Sequence, residues 1–307
     1  MFSIFTKKSP VEEERILMKR SFKPSLFISK EDQELFNKQG FVHLKNVLTQ
    51  SEIQSLISLY HTSKDMNGFQ NTDYYINSIG FEDKNIRTFL KENTERILQP
   101  ILPRFVNTDH ADFPLSGGFC INPPHATRGC SPHQDPTCVD EIQSYSMTIW
   151  ITLNDMTTEN GCMHIIPGSH LWGNLYRSVC VPWAFEKNAA LLWKFLLPIP
   201  TKAGDVICFD VSTIHASTPN NTDNTRLAMT VQTIPKNLDL ISYYPVNKDK
   251  VAVYSIDRDY FIQESQYKKP SGKYKVTHNV TLNNFFTEKN IEALNESYTH
   301  QLNNSIV

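Results

Sequence analysis

The amino-acid sequence predicts a mainly β domain, an antiparallel sandwich or barrel, preceded by helices. Between residues 29 and 109, apolar side chains recur at helical spacing between capping residues. From about residue 110, short apolar runs are separated by Gly, Pro, Asn and Asp, a pattern typical of antiparallel β-structure. Since 40 % of the 307 residues are hydrophobic, the chain can bury the core that such a domain requires.

Three helices are predicted before the β-rich part. Ser29 begins the first, and Gly40 ends it. Thr49 and Glu52 have the spacing of a capping box, in which each side chain bonds the backbone N–H of the other residue, and they begin the second. The third covers residues 82–99, since proline follows directly and cannot continue a helix.

The predicted strands are short and alternate in polarity or are wholly apolar. They cover residues 41–45, 118–122, 146–153, 162–166, 205–210, 227–233 and 251–256. A segment rich in Trp, Ala, Leu and Phe, residues 183–197, is predicted to be a helical insert or a lid, and a short final helix is expected near 287–298.

These elements divide the chain into three parts. Residues 1–28 show no sustained periodicity and are predicted to be a loose N-terminal arm. Residues 29–267 form a single domain, with a helical part at 29–109 and a β core at 110–256. Residues 268–307 are polar and rich in Asn and form a C-terminal extension.

Charge and composition exclude several classes of protein. A net charge of −2 gives no basic surface for nucleic acid or anionic membranes. No apolar run approaches the roughly 18 residues of a membrane span, and the N-terminus lacks the order of a secretory signal. The six cysteines form no Cys-x-x-Cys pair and are interpreted as reduced thiols, so a cytoplasmic protein is expected.

A metal site is predicted from His133, Asp135 and His215. Residues two apart on a strand face the same side, so His133 and Asp135 can offer a nitrogen and an oxygen to one point. His215, just after the apolar run 205–210, is the candidate third ligand. Two histidines and a carboxylate that leave other coordination positions open are typical of non-haem Fe(II) oxygenases, although spacing alone does not distinguish iron from zinc.

Arg226 is predicted to bind an anion beside that metal. It follows His215 across the turn-rich run 220–224, so the two residues are expected on neighbouring antiparallel strands that face one interior. A buried arginine is costly unless an anion pairs with it, and a planar guanidinium binds a carboxylate through two hydrogen bonds. The combination indicates a carboxylate co-substrate that also chelates the metal.

The order of short motifs across residues 118–233 resembles the phytanoyl-CoA dioxygenase family of Fe(II)/2-oxoglutarate-dependent oxygenases. The residues 40–42 resemble the opening of that family as well. The matching segments are, in chain order, Ile121-Asn122-Pro123-Pro124, Ser131-Pro132-His133-Gln134-Asp135, Trp150-Ile151-Thr152-Leu153-Asn154-Asp155, Glu159-Asn160-Gly161-Cys162, Ile166-Pro167-Gly168-Ser169-His170, Gly204-Asp205, His215-Ala216-Ser217 and Arg226.

The resemblance implies a double-stranded β-helix, the cupin-like jelly roll, with N-terminal helices packed on one sheet. It implies Fe(II) on the three predicted ligands and 2-oxoglutarate as co-substrate, with its distal carboxylate on Arg226. It places Trp150 beside the co-substrate and Ser217 near the arginine end. Because Asp135 is present where related halogenating enzymes have Ala or Gly, oxidation without halide transfer is expected.

The expected activity is hydroxylation of an unactivated C–H bond of a small-molecule or carrier-linked substrate, using O2 and releasing succinate and CO2. Two alternatives stay open. One is a cupin-like metal-dependent isomerase or hydrolase that does not use 2-oxoglutarate, against which Arg226 argues. The other is a non-catalytic binding relative, against which the intact set of metal ligands argues.

Overall fold

The computed structural model describes residues 17–68, 76–77, 82–173, 175–282 and 286–304. The α-helices are α1 (Lys30–Gln39), α2 (Gln50–Ser63), α3 (Lys84–Leu98), α4 (Ala189–Leu192), α5 (Tyr260–Gln263) and α6 (Glu288–Asn304). The strands are β1 (Phe41–Leu44), β2 (Ile76–Asn77), β3 (Ala111–Asn122), β4 (Cys130–His133), β5 (Met147–Thr152), β6 (Met163–Ile165), β7 (Leu197–Ile199), β8 (Val206–Asp210), β9 (His215–Ser217), β10 (Arg226–Pro235), β11 (Leu240–Asn247), β12 (Lys250–Ile256) and β13 (Lys275–Thr281).

The predicted helix caps are confirmed. Ser29 accepts a hydrogen bond from the Asp32 amide at the start of α1, and Gly40 ends that helix in the left-handed region with φ of 84°. At α2 the Thr49 hydroxyl accepts from the Glu52 amide, and the Glu52 carboxylate accepts from the Thr49 amide. Each cap satisfies backbone groups that a helix end would otherwise leave unpaired.

Two antiparallel sheets form the body of the protein. The larger has the strand order β1-β8-β5-β10-β3-β2, and the smaller has the order β4-β9-β6-β7. Neighbouring strands come from distant parts of the sequence, as in a jelly roll. Apolar side chains of both sheets meet in one buried cluster, with Trp150, Phe209 and Ala228 from the larger sheet and Met163 and Ile165 from the smaller.

The N-terminal helices cover the outer face of the larger sheet. Strand β5 shows why, because its side chains alternate between two cores. Ile149 and Ile151 pack with Phe36 of α1 and Leu56 of α2, while Trp150 points between the sheets. The predicted double-stranded β-helix with helices packed on one sheet is confirmed.

Several strands differ from the prediction. Strand β3 begins at Ala111 instead of residue 118. The prediction missed its first half because Pro114 and Gly117 interrupt the apolar pattern. Gly117, with φ of 90°, lies at a shift in register against β10. Strands β11 and β13 were not predicted. They pair with β12 in a third sheet, and β13 is almost wholly exposed, so no apolar pattern marks it.

Described residues near both ends of the chain pack against the domain. Residues 1–16 of the predicted arm lie outside the described residues, but Leu26 and Phe27 are buried in the core beneath the helices, so this part is not loose. The segment predicted as an insert or lid forms only α4 and a short 3₁₀ turn, Glu186–Asn188. Its Phe185 stacks on Phe286 with ring centroids 4.1 Å apart, next to α6. The boundaries at 29, 267 and 268 stay a prediction.

Candidate metal centre

His133, Asp135 and His215 meet at one end of the smaller sheet. His133 ends β4 and is paired in register with His215 of β9, which brings their rings to 4.2 Å between centroids. One ligand atom from each of the three residues lies within 4.8 Å of the others. The Oδ1 atom of Asp135 is 3.7 Å from Nε2 of each histidine. Asp135 lies two residues beyond the end of β4, so the pairing of β4 with β9 and the loop after His133, instead of alternation along one strand, bring the three predicted ligands together.

Hydrogen bonds orient each of these side chains toward the shared point. The Nδ1 atoms of His133 and His215 lie 2.9 and 3.0 Å from the carbonyls of Ser131 and Thr213, so each donates its N–H there. In the neutral form of each ring, the Nε2 atom then carries the lone pair and faces Asp135. Such outer hydrogen bonds fix the tautomer of a metal-binding histidine and raise its basicity.

Thr148 of β5 performs the same task for the carboxylate. Its hydroxyl donates to Oδ2 of Asp135 at 2.8 Å, which leaves Oδ1 to face the histidines. Thr148 precedes Trp150 by two residues and lies on the same face of the strand. Sequence reasoning missed this residue, although the alternation of β5 placed it beside a predicted site residue.

The electrostatics of the two histidines differ. Burial and the neighbouring His133 lower the pKa of His215 to about 4, so its ring is neutral and can donate a lone pair. Burial opposes charge on His133 too, but the Cys130 sulfur and the Asp135 carboxylate outweigh it and raise the pKa of His133 to about 10. A metal cation at this point would replace the proton on His133.

A buried ion pair holds the loop that carries Asp135. Arg177 bonds both carboxylate oxygens of Glu141 at 2.7 and 2.8 Å, and its Nε donates to the Asp135 carbonyl at 2.9 Å. Gln134, between two ligands, donates to the Ser212 carbonyl at 2.6 Å. The backbone on both sides of Asp135 is thus fixed by side chains that are distant in sequence.

Arg226, Trp150 and Ser217 form a second group inside the sandwich. Arg226 is fully buried, its guanidinium carbon lies 5.3 Å from the centre of the Trp150 ring, and its Nη2 donates to Ser217 Oγ at 3.3 Å. The buried indole N–H of Trp150 has no hydrogen-bond partner among the described residues. The structure therefore brings all three predicted co-substrate residues together. The Trp150 N–H remains a buried donor that no acceptor among the described residues satisfies.

A cavity extends from Trp150 of this group to the metal ligands. Trp150, His133, Asp135 and His215 line it, whereas Arg226 lies behind the Trp150 ring and is not among its lining residues in the described part of the chain. The remaining wall consists of apolar and neutral polar side chains: Leu115, Cys120, Pro136, Thr137, Thr148, Val179, Phe209, Thr230, Gln232, Phe261, Gln266 and Tyr267.

The donor set fits a divalent transition metal bound on one side. Two imidazole nitrogens and one carboxylate oxygen converge, and the cavity lies next to them, so further coordination positions would face a space open to small ligands. His170 of the Pro-Gly-Ser-His turn takes no part in this arrangement, because it is buried elsewhere with Nε2 3.1 Å from the Asn37 carbonyl.

The fold and this site define a jelly-roll protein with a group of two histidines and one carboxylate that could hold a metal ion. The sequence model of the phytanoyl-CoA dioxygenase (PhyH) family matches residues 36–228. The chain therefore belongs to the phytanoyl-CoA dioxygenase family. The matched region contains all of the predicted ligands and co-substrate residues, but it ends before β11.

Individual relatives agree with this family. Over 121 residues the chain is 31 % identical to the mouse (Mus musculus) phytanoyl-CoA dioxygenase domain-containing protein 1, a stretch covering 37 % of this chain and 42 % of that protein. It is also 31 % identical to the dioxygenase lolE1 of Epichloe uncinata over 105 residues, covering 33 % of this chain and 38 % of lolE1. The chain thus matches about two fifths of the length of these curated relatives.

A solved structure supports the fold. SnoK from nogalamycin biosynthesis, a non-haem α-ketoglutarate-dependent carbocyclase, superimposes with a TM-score of 0.50 at 20 % identity, covering 70 % of this chain and 86 % of SnoK. At this identity the likeness concerns the fold. Among the helices of the described residues, none is long and apolar enough to cross a bilayer.

Proposed function

We propose that this protein is an Fe(II)- and 2-oxoglutarate-dependent dioxygenase. The observation that carries the proposal is the convergence of one ligand atom each from His133, Asp135 and His215 at the end of a cavity. Membership of the phytanoyl-CoA dioxygenase family and the fold shared with SnoK support it. Iron fits a centre of two imidazoles and one carboxylate that needs no thiolate.

The residues have separate tasks in this proposal. His133, Asp135 and His215 would hold Fe(II), and Arg226 with Ser217 would receive the distal carboxylate of 2-oxoglutarate. A planar guanidinium suits that carboxylate because it offers two parallel hydrogen bonds. The N–H of Trp150, which lines the cavity and has no partner among the described residues, supplies a further donor. When bound, iron and 2-oxoglutarate supply oxygen activation coupled to formation of succinate and CO2.

The finer proposal is hydroxylation of a C–H bond. The Asp135 carboxylate would occupy one coordination position of the metal, and its second oxygen accepts a hydrogen bond from Thr148. That coordination position is therefore not open to a halide. The contribution of the chain is then to place one C–H bond of the substrate beside the metal and to keep water away. The apolar side chains of the cavity, such as Phe209 and Phe261, suit both tasks.

The proposal is tested by succinate formation from 2-oxoglutarate under air with Fe(II). The His133→Ala variant is expected to lose succinate formation and high-affinity Fe(II) binding together. His125→Ala is the matched control. His125 lies in the loop before β4, is exposed, and pairs with Asp223 at 2.8 Å instead of with a metal ligand. Turnover of His133→Ala at the wild-type rate would contradict the proposal.

The two alternatives give different results in the same assay. A metal-dependent isomerase or hydrolase would bind the metal through His133 but release no succinate from 2-oxoglutarate. A non-catalytic relative would bind neither Fe(II) nor 2-oxoglutarate at micromolar concentration. Both ligands are therefore titrated separately, under nitrogen, before oxygen is admitted.

A further inference from the structure

The outer wall of the cavity comes from a part of the chain beyond the family match. The matched region ends at residue 228, whereas Phe261, Gln266 and Tyr267 line the cavity opposite the metal ligands. They lie in the segment between β12 and β13, which we call the wall segment, residues 257–267. Tyr267 is 52 % exposed and Val179, on the opposing loop, is 39 % exposed, so both lie at the mouth.

The wall segment is fixed in place from several directions. The guanidinium of Arg87, in α3, donates to the Ile262 carbonyl through Nε at 3.2 Å and Nη2 at 2.6 Å. The Cys180 thiol lies 3.6 Å from the Gln266 carbonyl. Tyr260 is buried and packs edge-on against Tyr274 with ring centroids 5.1 Å apart. A wall anchored on three sides presents a formed surface to a ligand, which lowers the entropy cost of binding.

Away from the metal and the co-substrate, the cavity disfavours a strongly charged substrate. Among the described residues that line it, none is a lysine or an arginine, and the acid present is the metal ligand Asp135. Lys84 and Lys268, near the wall segment, make contacts on this chain. Lys84 Nζ donates to Gln263 Oε1 at 2.6 Å, and Lys268 pairs with Glu82 at 3.4 Å. A phosphate or carboxylate of the substrate in that outer part of the cavity would lose water without gaining a counter-ion.

Apolar and neutral polar groups are the contacts that the cavity does offer. Phe261, Tyr267 and Val179 provide apolar surface, while Gln232 and Gln266 carry amides that can bond hydroxyl, carbonyl or amide groups. The Gln232 amide is already oriented, because its Nε2 donates to the Pro136 carbonyl at 3.1 Å. This surface matches a ligand that is mainly apolar and carries few polar groups.

We infer that the oxidised substrate is an uncharged, mainly apolar small molecule, and that Phe261, Gln266 and Tyr267 of the wall segment determine which one is accepted. The inference rests on the proposed function, since it treats this cavity as the substrate site. It assigns selectivity to a segment outside the family match, whereas metal and co-substrate are held by residues inside it. It disfavours a substrate whose carrier phosphates must enter the cavity.

Two fluorescent probes with one skeleton test the inference. N-phenylnaphthylamine is uncharged, and anilinonaphthalene sulfonate carries one sulfonate on the same aromatic rings. Both are titrated into the full chain loaded with Zn(II) and 2-oxoglutarate, so that the metal and the co-substrate occupy their own part of the cavity. The uncharged probe is expected to bind at least about tenfold more tightly, since the sulfonate would be buried without a counter-ion.

Matched variants locate the probe. Tyr267→Ala is expected to weaken binding of the uncharged probe about fivefold, the effect of losing one aromatic contact. Trp193→Ala removes an exposed aromatic that does not line the cavity and should change binding by less than about twofold. Val179→Asp should weaken binding more than Val246→Asp, since Val246 is 56 % exposed on β11 and outside the lining.

Three results would overturn the inference. The first is equal or tighter binding of the sulfonate, and the second is an equal effect of the Tyr267 and Trp193 substitutions. The third is displacement of the probe by lauroyl-CoA with an affinity that falls as salt rises, which would indicate an anionic carrier. Succinate formation is measured separately, so probe discrimination without succinate refutes only the proposed function, and succinate without discrimination refutes only the inference.

Discussion

Replacing Thr148 by valine tests whether the hydrogen bonds behind the ligands set metal affinity. The hydroxyl of Thr148 donates to Oδ2 of Asp135 at 2.8 Å, and the side chain is buried. Valine has nearly the same shape and lacks the donor. The variant therefore removes one hydrogen bond from a metal ligand and leaves the packing of β5 almost unchanged.

The expected size of the effect follows from the charge on the acceptor. A hydrogen bond to a charged group contributes about 1.5–3 kcal/mol, and about 1.4 kcal/mol corresponds to a factor of ten in affinity. Thr148→Val should therefore weaken metal binding about 10- to 100-fold, a range typical for loss of one outer hydrogen bond at a metal site. The Asp135 carboxylate would become free to rotate, so part of the loss is loss of preorganisation.

The measurement is a calorimetric titration of Co(II) or Fe(II) under nitrogen into wild type and variants. Thr230→Val is the control, because Thr230 lines the same cavity and its hydroxyl donates to the Gly118 carbonyl at 3.1 Å instead of to a ligand. Its metal affinity should stay within about twofold of wild type, although it loses about 1 kcal/mol of stability. Equal metal affinities for Thr148→Val and wild type would refute the reasoning, as would equal losses in the two variants.

Three further predictions concern the co-substrate, the fold and pH. Arg226→Lys should raise the KM for 2-oxoglutarate about tenfold or more while metal affinity changes little, because lysine cannot form the two parallel bonds of a guanidinium; steady-state succinate assays and metal titrations measure the two effects. Gly168→Ala should cost about 2–5 kcal/mol in urea unfolding, since φ is +80° and a Cβ would lie 2.1 Å from the Tyr298 ring, whereas Gly272→Ala meets open space and should stay within about 0.5 kcal/mol. Glu52→Gln should cost about 1 kcal/mol at pH 7, the value of a helix cap. The side chain of Arg104 and the hydrogen bonds from Thr49 lower the pKa of Glu52 from 4.5 to about 2. This stability is therefore present above pH 4.5 and is lost as the pH falls toward 2, where wild type and variant should converge.

The helical half of the fold could be predicted because its signals are local. Ser29 and Gly40 bound α1, and Thr49 and Glu52 form the capping box within four consecutive residues. The long-range salt bridge to the capping box could not be predicted. Arg104 pairs with the Glu52 carboxylate from far along the chain, and nothing in the local sequence of either residue indicates the other.

Strand predictions failed where burial does not alternate. Strand β13 is exposed on both faces, so its sequence carries no apolar period. The first half of β3 contains Pro114, which is unusual inside a strand, although this half also pairs with β10. Strands β5 and β8 were easier, since they are buried and contain apolar runs. The strands that carry the two histidines, β4 and β9, are only four and three residues long and contain no apolar run, so they are missing from the predicted strands.

The candidate site divides in the same way. His133 and Asp135 could be proposed from their local spacing, although Asp135 lies two residues beyond the end of β4. His215 and Arg226 were expected on neighbouring antiparallel strands, which is wrong, because β9 lies in the smaller sheet and β10 in the larger one. The residues that hold those ligands could not be found locally. Arg177 reaches the Asp135 carbonyl from a loop 42 residues further along the chain, and an arginine in that loop is equally consistent with a solvated surface.

Glu141 shows why these distant contacts matter to the metal site. Its carboxylate binds Arg177, which fixes the Asp135 backbone, and its carbonyl accepts from Nε of Arg20 at 3.1 Å. Arg20 in turn bonds Asp210 at 3.1 Å and Ser212 at 2.6 Å, in the turn that leads to His215. All of these charges are buried, so each is stable only while its partner is present. The chain segment at residue 20 therefore belongs to the domain physically: it joins the loop of the carboxylate ligand to the loop of the second histidine, so that both are positioned before a metal binds.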